Sequence, residues 1–169
     1  MTVRIIGAAM LMAGSSGFGI ALAAHSIRQK QLLQQLSRIV SEMQWELTFR
    51  LTPLPELCRQ ASGSVHGELK SIFQELGNRL DRGWDGDVSG CMNALASRPE
   101  LPRAVRRCLR ELGSCLGRFD LEGQIEGLKA VNETIRQELD LLNESGKERI
   151  RSYQTLALCA GAALVILLI

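Results

Sequence analysis

A charge-free stretch near the N-terminus, residues 5–24, most strongly constrains the fold of this chain. Twenty helical residues rise about 30 Å, which matches the hydrocarbon thickness of a bilayer. The sequence therefore predicts a transmembrane helix within residues 1–25. A cleaved signal peptide is the alternative, because Ala21, Leu22 and Ala23 resemble a cleavage site, but the apolar stretch exceeds the usual core of such a peptide.

A second apolar run, residues 156–169, closes the chain. Fourteen residues alone also suit a buried core helix. Adding Tyr153, Gln154 and Thr155 gives about 26 Å of helix, and tyrosine is typical of the headgroup level. We therefore expect a second, slightly short transmembrane helix over residues 153–169.

Basic residues flank both predicted spans on their inner sides. The charges are Arg28, Lys30 and Arg38 after the first span and Lys147, Arg149 and Arg151 before the second, whereas Arg4 alone lies on the outer side. Because positive charge favours the cytoplasmic side, residues 26–152 are predicted to form a cytoplasmic domain of a two-span protein in the cell membrane.

The middle of the chain has helical periodicity. After the first span, apolar residues recur every three or four positions, as on one face of a helix: Leu32, Leu33, Leu36, Ile39, Val40, Met43, Leu47 and Leu51. The last segment shows a nearly heptad stripe with no proline before the membrane: Leu121, Ile125, Leu128, Val131, Ile135, Leu139, Leu142, Ile150 and Tyr153.

Between these two segments, prolines, glycines and capping residues separate shorter helices. Thr52 is expected to cap a short helix that ends near Ala61, and further helices are expected over 65–82, after Asp87, and from Pro102 to Leu116. The predicted fold is all-α, a bundle of about six helices flanked by an N-terminal and a C-terminal transmembrane helix.

The charge balance argues against one function class, and the cysteine spacing indicates the state of the thiols. Lys and Arg total 20 against 18 Asp and Glu, a balance that does not suit a nucleic-acid binder. The five cysteines show no CxxC spacing and are interpreted as reduced thiols.

No arrangement of residues indicates catalysis. His25 and His66 are the only histidines, Cys108 and Cys115 share a helix face with Leu112 as core residues would, and no glycine-rich phosphate loop occurs. The sequence predicts no enzymatic activity, no metal and no cofactor.

One helix carries a dense basic stripe, formed by Arg103, Arg106, Arg107 and Arg110. A solvated face balanced by neighbouring glutamates is one interpretation. A docking surface for an acidic partner or anionic lipid is the other.

Several short segments resemble the stage III sporulation protein AB family. They are Thr52-Pro53-Leu54-Pro55-Glu56, Leu112-Gly113-Ser114-Cys115-Leu116-Gly117 followed by Asp120, Glu122 and Gln124, then Leu80-Asp81-Arg82-Gly83 and Arg151-Ser152-Tyr153-Gln154-Thr155-Leu156. The resemblance covers nearly the whole chain, with both apolar ends in the places that the family has them.

This resemblance implies a scaffold in the channel complex that links mother cell and forespore in endospore-forming bacteria. The middle domain would be similar to the F domain of type II secretion and pilus platform proteins, on the mother-cell side. A secretion-type ATPase and other membrane subunits are the implied partners, and self-association stays open. A platform protein of a type II secretion or pilus system, and a two-span helical sensor, are the alternatives.

We expect partner contacts at the two helix junctions and on the basic stripe. The candidate residues are Thr52, Pro53, Leu54, Pro55, Glu56, Leu112, Gly113, Leu116, Gly117, Asp120, Glu122, Gln124, Arg103, Arg106, Arg107 and Arg110.

Overall fold

A computed structural model describes the backbone of residues 2–82, 87–117 and 120–168, and the side chains of residues 26–82, 87–117 and 120–144. Its six helices are α1 (Thr2–Phe49), α2 (Leu54–Ser64), α3 (Glu68–Asp81), α4 (Val88–Ala96), α5 (Arg103–Cys115) and α6 (Leu121–Leu168). Within these ranges the chain forms no strand. The all-α prediction is confirmed, and α6 continues as one helix to the C-terminal segment.

The two predicted spans lie outside the residues whose side chains the structure describes. Among the described residues, no helical stretch combines the length and apolarity needed to cross a bilayer. The division at residues 26 and 152 therefore stays a prediction.

The long helices α1 and α6 pack antiparallel. Lys30 Nζ donates to Asn143 Oδ1 (2.8 Å), and further along α1 Ser37 Oγ donates to Asn132 Oδ1 (2.8 Å). The Asn132 amide also donates to Ser41 Oγ (3.0 Å). From one hydrogen bond to the next, the residue number rises along α1 and falls along α6. The C-terminal end of α1 therefore lies level with the start of α6.

Among the residues whose side chains the structure describes, the core follows the predicted stripes with two exceptions. The α1 stripe is buried from Leu32 to Leu47, and Leu128, Val131 and Ile135 of α6 are buried against it. Leu51, predicted as a core residue, is instead 65% exposed, because the chain leaves the helix there with φ 53°. Leu121 was also predicted inward but lies exposed in the first turn of α6.

The four short helices form two hairpins beside the long pair. In the first, α2 packs on α3, and in the second α4 packs on α5, which also contacts α6. The boundaries differ from those expected: α2 continues through Ser64, and α3 begins at Glu68 after Gly67, whose φ of 69° breaks the helical path. Asp87 caps α4 as predicted, because its carboxylate accepts the Ser89 N–H (3.1 Å).

Candidate functional site

The two junctions singled out in the sequence meet at one end of the bundle, hereafter the distal end. Gly117, after α5, lies against Leu54, at the start of α2: a Cβ on Gly117 would be 3.7 Å from Leu54 Cδ2 and 3.1 Å from Val88 Cγ2. Gly117 has φ 76°, a conformation that glycine adopts without strain. Segments more than sixty residues apart thus form one surface.

At the α1–α2 junction, Thr52 does not cap α2 as predicted. Pro53 occupies the cap position, and no side chain caps the helix there. The Thr52 hydroxyl instead donates to Glu46 Oε2 (2.8 Å), and Glu46 also accepts from Arg50 (3.3 Å). The Thr52–Glu46 hydrogen bond therefore holds the turn against the end of α1. The two prolines restrict the backbone at the start of α2.

Glu56 lies in the first turn of α2, where a carboxylate is favoured by the helix dipole. It pairs with Arg59 (3.2 Å), which also reaches Asp81 on α3 (3.3 Å). Glu56 is half exposed, so it remains accessible at the distal end. Pro53 is exposed and Leu54 and Pro55 are half-buried beside it.

At the α5–α6 junction, the predicted residues divide into core and surface. Leu112, Gly113 and Leu116 are buried, and a Cβ on Gly113 would come within 2.5 Å of Met92 Cβ. Gly113 thus packs α5 against α4, and none of these three buried residues is available to a partner. The fit explains why glycine stands at position 113.

The start of α6 supplies the exposed part of this junction. Asp120 Oδ1 accepts the Gly123 N–H (3.0 Å), so Asp120 caps α6. Glu122 is exposed in the first turn, and Gln124 is half-buried. Accessible residues of the predicted set are therefore Gly117, Asp120 and Glu122 here, with Pro53 and Glu56 across the junction.

An exposed aromatic pair at the distal end was not predicted. The rings of Trp45 and Phe49 lie 5.5 Å apart at 44°, and the Arg50 guanidinium lies 5.2 Å from the Trp45 ring centre. Trp45 is 50% and Phe49 69% exposed. Together with Leu51 they form what we call the distal apolar patch. The signal was present in the sequence: two aromatic residues four apart, off the apolar stripe of α1.

A groove of about 370 Å³ runs between α1 and α2 beside Trp45. Ile39, Met43, Leu57 and Ala61 contribute to its lining, and Glu42 and Glu46 contribute charge. The groove therefore extends the distal apolar patch along the side of the bundle. Large exposed aromatic side chains next to a groove are typical of protein interaction sites.

The predicted basic stripe lies on the outer side of α5. Arg107 pairs with Glu111 (3.8 Å) and with Glu138 of α6. Arg103, Arg106 and Arg110 make no ion pair with any residue that the structure describes. The stripe is thus neutralised by neighbouring glutamates at one position of four, rather than along its length.

The cysteines behave as core residues. Cys58, Cys91, Cys108 and Cys115 are buried free thiols. Burial raises the pKa of Cys58 and of Cys108 from 9.0 to about 12, so neither is a nucleophile at neutral pH. In the described part of the chain, His, Cys, Asp and Glu side chains form no group suited to a metal ion.

The comparisons with known proteins agree with the fold and the motifs. A family model described as stage III sporulation protein AB matches residues 4–169. A solved structure titled "Stage III sporulation protein AB (SpoIIIAB)" has a TM-score of 0.62 at 16% identity, covering 72% of this chain and 98% of the other. No curated protein matches. Because the family match spans nearly the whole chain, the protein belongs to the stage III sporulation protein AB family and is a sporulation protein.

Proposed function

We propose that this chain is a membrane platform subunit of the channel complex between mother cell and forespore, and that it docks a secretion-type ATPase. The lipid bilayer would hold both terminal segments, and other membrane subunits would contact them. The bundle would project into the mother-cell cytoplasm, in keeping with the basic residues that flank it.

The antiparallel packing of α1 and α6 supports this role. The Lys30–Asn143 hydrogen bond lies at the end of the bundle from which both helices continue to the apolar segments. Both anchors would then lie under one end of the bundle. Two helices of 48 residues each, joined by hydrogen bonds from Lys30–Asn143 to Ser41–Asn132, would make a rigid support on which a partner can act.

The distal apolar patch is the proposed binding site for the ATPase. Trp45, Phe49 and Leu51 are exposed at the end opposite the proposed anchors, about 30 Å of helix beyond residue 26. Exposed aromatic residues are costly to leave in water and are typical anchors of protein interfaces. Glu56 and Glu122, from the two junctions at the same end of the bundle, would supply the polar rim.

The test is binding of the complex's ATPase to the full-length chain in detergent. We expect the double variant Trp45→Ala and Phe49→Ala to weaken binding about tenfold or more, as truncated interface aromatics do. Spore yield should fall with it. Ile27→Ala is the matched control, because Ile27 is 56% exposed on the same helix at the other end.

Charge reversal tests the rim separately. Glu56→Lys and Glu122→Lys should each weaken binding less than the aromatic variant, provided that circular dichroism shows an unchanged helix content. If the aromatic variant and the charge-reversed variants all keep wild-type binding and spore yield, the ATPase does not bind this surface. A platform for a different secretion or pilus system would instead bind an unrelated ATPase and leave sporulation unchanged.

A further inference from the structure

The outer side of α5 carries three arginines that lack an ion-pair partner within the described chain: Arg103, Arg106 and Arg110. Their spacing of three and four residues places them on one side of the helix. Arg103 and Arg110 are exposed and Arg106 is half-buried. We call these three residues the basic face.

The outer side of α6 carries the opposite charge. Carboxylates recur there at intervals of four and seven residues, which puts them on one side of the helix: Glu122, Glu126, Glu133, Asp140 and Glu144. All five are exposed, and none forms an ion pair with a described residue. Lys129 lies on the same side between Glu126 and Glu133, and Arg136 between Glu133 and Asp140, so carboxylates outnumber bases five to two on this acidic face.

The packing of α5 on α6 sets the height of each charge along the bundle. Arg107 pairs with Glu138, and Cys115 touches Gly127, so the helices run antiparallel. Counting from these contacts, Arg103 lies level with Asp140 and Arg110 level with Glu133. Both pairs are seven residues apart, about 10 Å along the helix.

We propose that copies of this chain associate side by side, with Arg103 and Arg110 of one copy pairing with Asp140 and Glu133 of the next. Copies anchored in one membrane with one orientation hold the same charges at the same height. The match in height and spacing then aligns the two faces without tilting either copy. The inference rests on the proposed function only for this shared anchoring.

At Arg110, a second copy fits the basic face better than lipid does. Arg110 is level with the part of α6 that pairs with Ser37 through Asn132, about 16 Å of helix beyond residue 26. That distance exceeds the screening length of roughly 8 Å at physiological ionic strength. Arg110 would therefore interact only weakly with lipid headgroups at the bilayer surface. The acidic face of a neighbouring copy, in contrast, lies at the same height as Arg110.

The contact is heterologous, because a face of α5 meets a different face of α6, and it continues from copy to copy. Exposed ion pairs contribute little affinity individually, so these pairs chiefly select orientation and register among copies already concentrated in the membrane. Association should therefore weaken as the salt concentration rises.

The test is charge exchange in two differently tagged full-length copies, co-expressed, extracted in mild detergent at low salt and co-purified. One variant carries Arg103→Glu with Arg110→Glu, and the other carries Glu133→Arg with Asp140→Arg. Each variant alone should lose co-purification with its own kind by about tenfold or more. Mixing the two variants should restore it, because every face again meets its opposite.

The controls separate folding and anchoring from association. Lys70→Glu with Arg82→Glu makes the same change in net charge at exposed positions away from both faces and should co-purify like the wild type. Should the reversals lower helix content, Arg103→Gln with Arg110→Gln replaces them. Flotation with membrane vesicles tests the shared anchoring by itself.

Unchanged co-purification of both reversed variants, or loss that mixing does not restore, would overturn the proposal. So would a wild-type chain that floats with vesicles yet never co-purifies with its second tag. Loss of binding to vesicles of anionic lipid in the basic-face variant, with co-purification intact, would assign that face to lipid instead.

Discussion

Gly127 of α6 lies against the side chain of Cys115 at the end of α5, so closely that a Cβ on Gly127 would be 2.5 Å from Cys115 Cβ. No ordinary side-chain contact is that short. The contact brings α6 back along α5 directly after the α5–α6 junction. It thereby sets the position of Asp120 and Glu122 at the distal end.

Gly127→Ala should destabilise the bundle. The added methyl must push α5 and α6 apart, and overpacking of this kind costs about 1–3 kcal/mol. Gly90→Ala is the matched control: Gly90 lies inside α4 with nothing within 4 Å of its would-be Cβ. That change should stabilise by about 0.5–1 kcal/mol through helix propensity. Denaturant unfolding of the full chain, followed by far-UV circular dichroism, measures both, and equal effects would contradict the packing.

Leu128→Ala should destabilise by about 2–5 kcal/mol, because Leu128 is fully buried where α6 meets the core. Leu141 lies on the exposed side of the same helix, with 61% of its surface accessible. Leu141→Ala should therefore change the unfolding free energy by less than about 0.5 kcal/mol. The two variants have the same chemistry and differ in burial. A similar midpoint shift for both would show that the register of α6 is wrong.

Alkaline pH should destabilise the fold through its buried thiols. Well below pH 9 the Cys58 and Cys108 thiols are protonated in both states, so they do not make stability depend on pH there. Between about pH 9 and 12 they ionise in the unfolded chain but not in the folded one, where their pKa is about 12. Stability should then fall by up to about 1.4 kcal/mol per pH unit for each thiol.

The double variant Cys58→Ala and Cys108→Ala isolates that effect from other groups that titrate at high pH. Its unfolding free energy is expected to be lower than that of the wild type at pH 8, because two small cavities form. Across the alkaline range it should decline less steeply. Parallel curves for the two proteins would mean that these thiols are not buried as described.

Helix periodicity predicted most of this fold because each helix of the bundle is amphipathic, and the stripe from Leu32 to Leu47 follows directly from it. The errors fall where backbone geometry overrides the pattern. Leu51 continues the apolar spacing, yet its φ of 53° ends the helix and turns it outward. Gly67, with φ 69°, delays α3 past the apolar Val65.

The candidate site was predictable in parts only. The junction segments were found through the family resemblance, but their adjacency depends on the contact between Gly117 and Leu54, which no spacing along the chain reveals. Burial of Leu112 and Leu116 likewise follows from how α4 and α6 cover α5. The aromatic pair Trp45 and Phe49 was visible in the sequence, but its position at the distal end required the antiparallel packing of α1 and α6.

The buried thiols also permit a direct test of topology. Because Cys58, Cys91, Cys108 and Cys115 are buried, the folded native chain offers an impermeant maleimide little to modify in its described part. Lys70→Cys places one accessible thiol on the exposed side of α3. If the bundle is cytoplasmic, this variant should stay unlabelled in intact cells and become labelled once the membrane is opened.

Thr2→Cys is the opposite arm of that experiment, since residue 2 precedes the predicted first span and should be labelled in intact cells. The wild-type chain measures background labelling, including any from Cys159, and labelling in denaturant shows that every thiol can react. Rapid labelling of Lys70→Cys in intact cells would place the bundle outside and favour the two-span sensor. If neither variant is labelled in intact cells and both are labelled once the membrane is opened, the N-terminus lies inside the cell. The predicted first span would then be wrong.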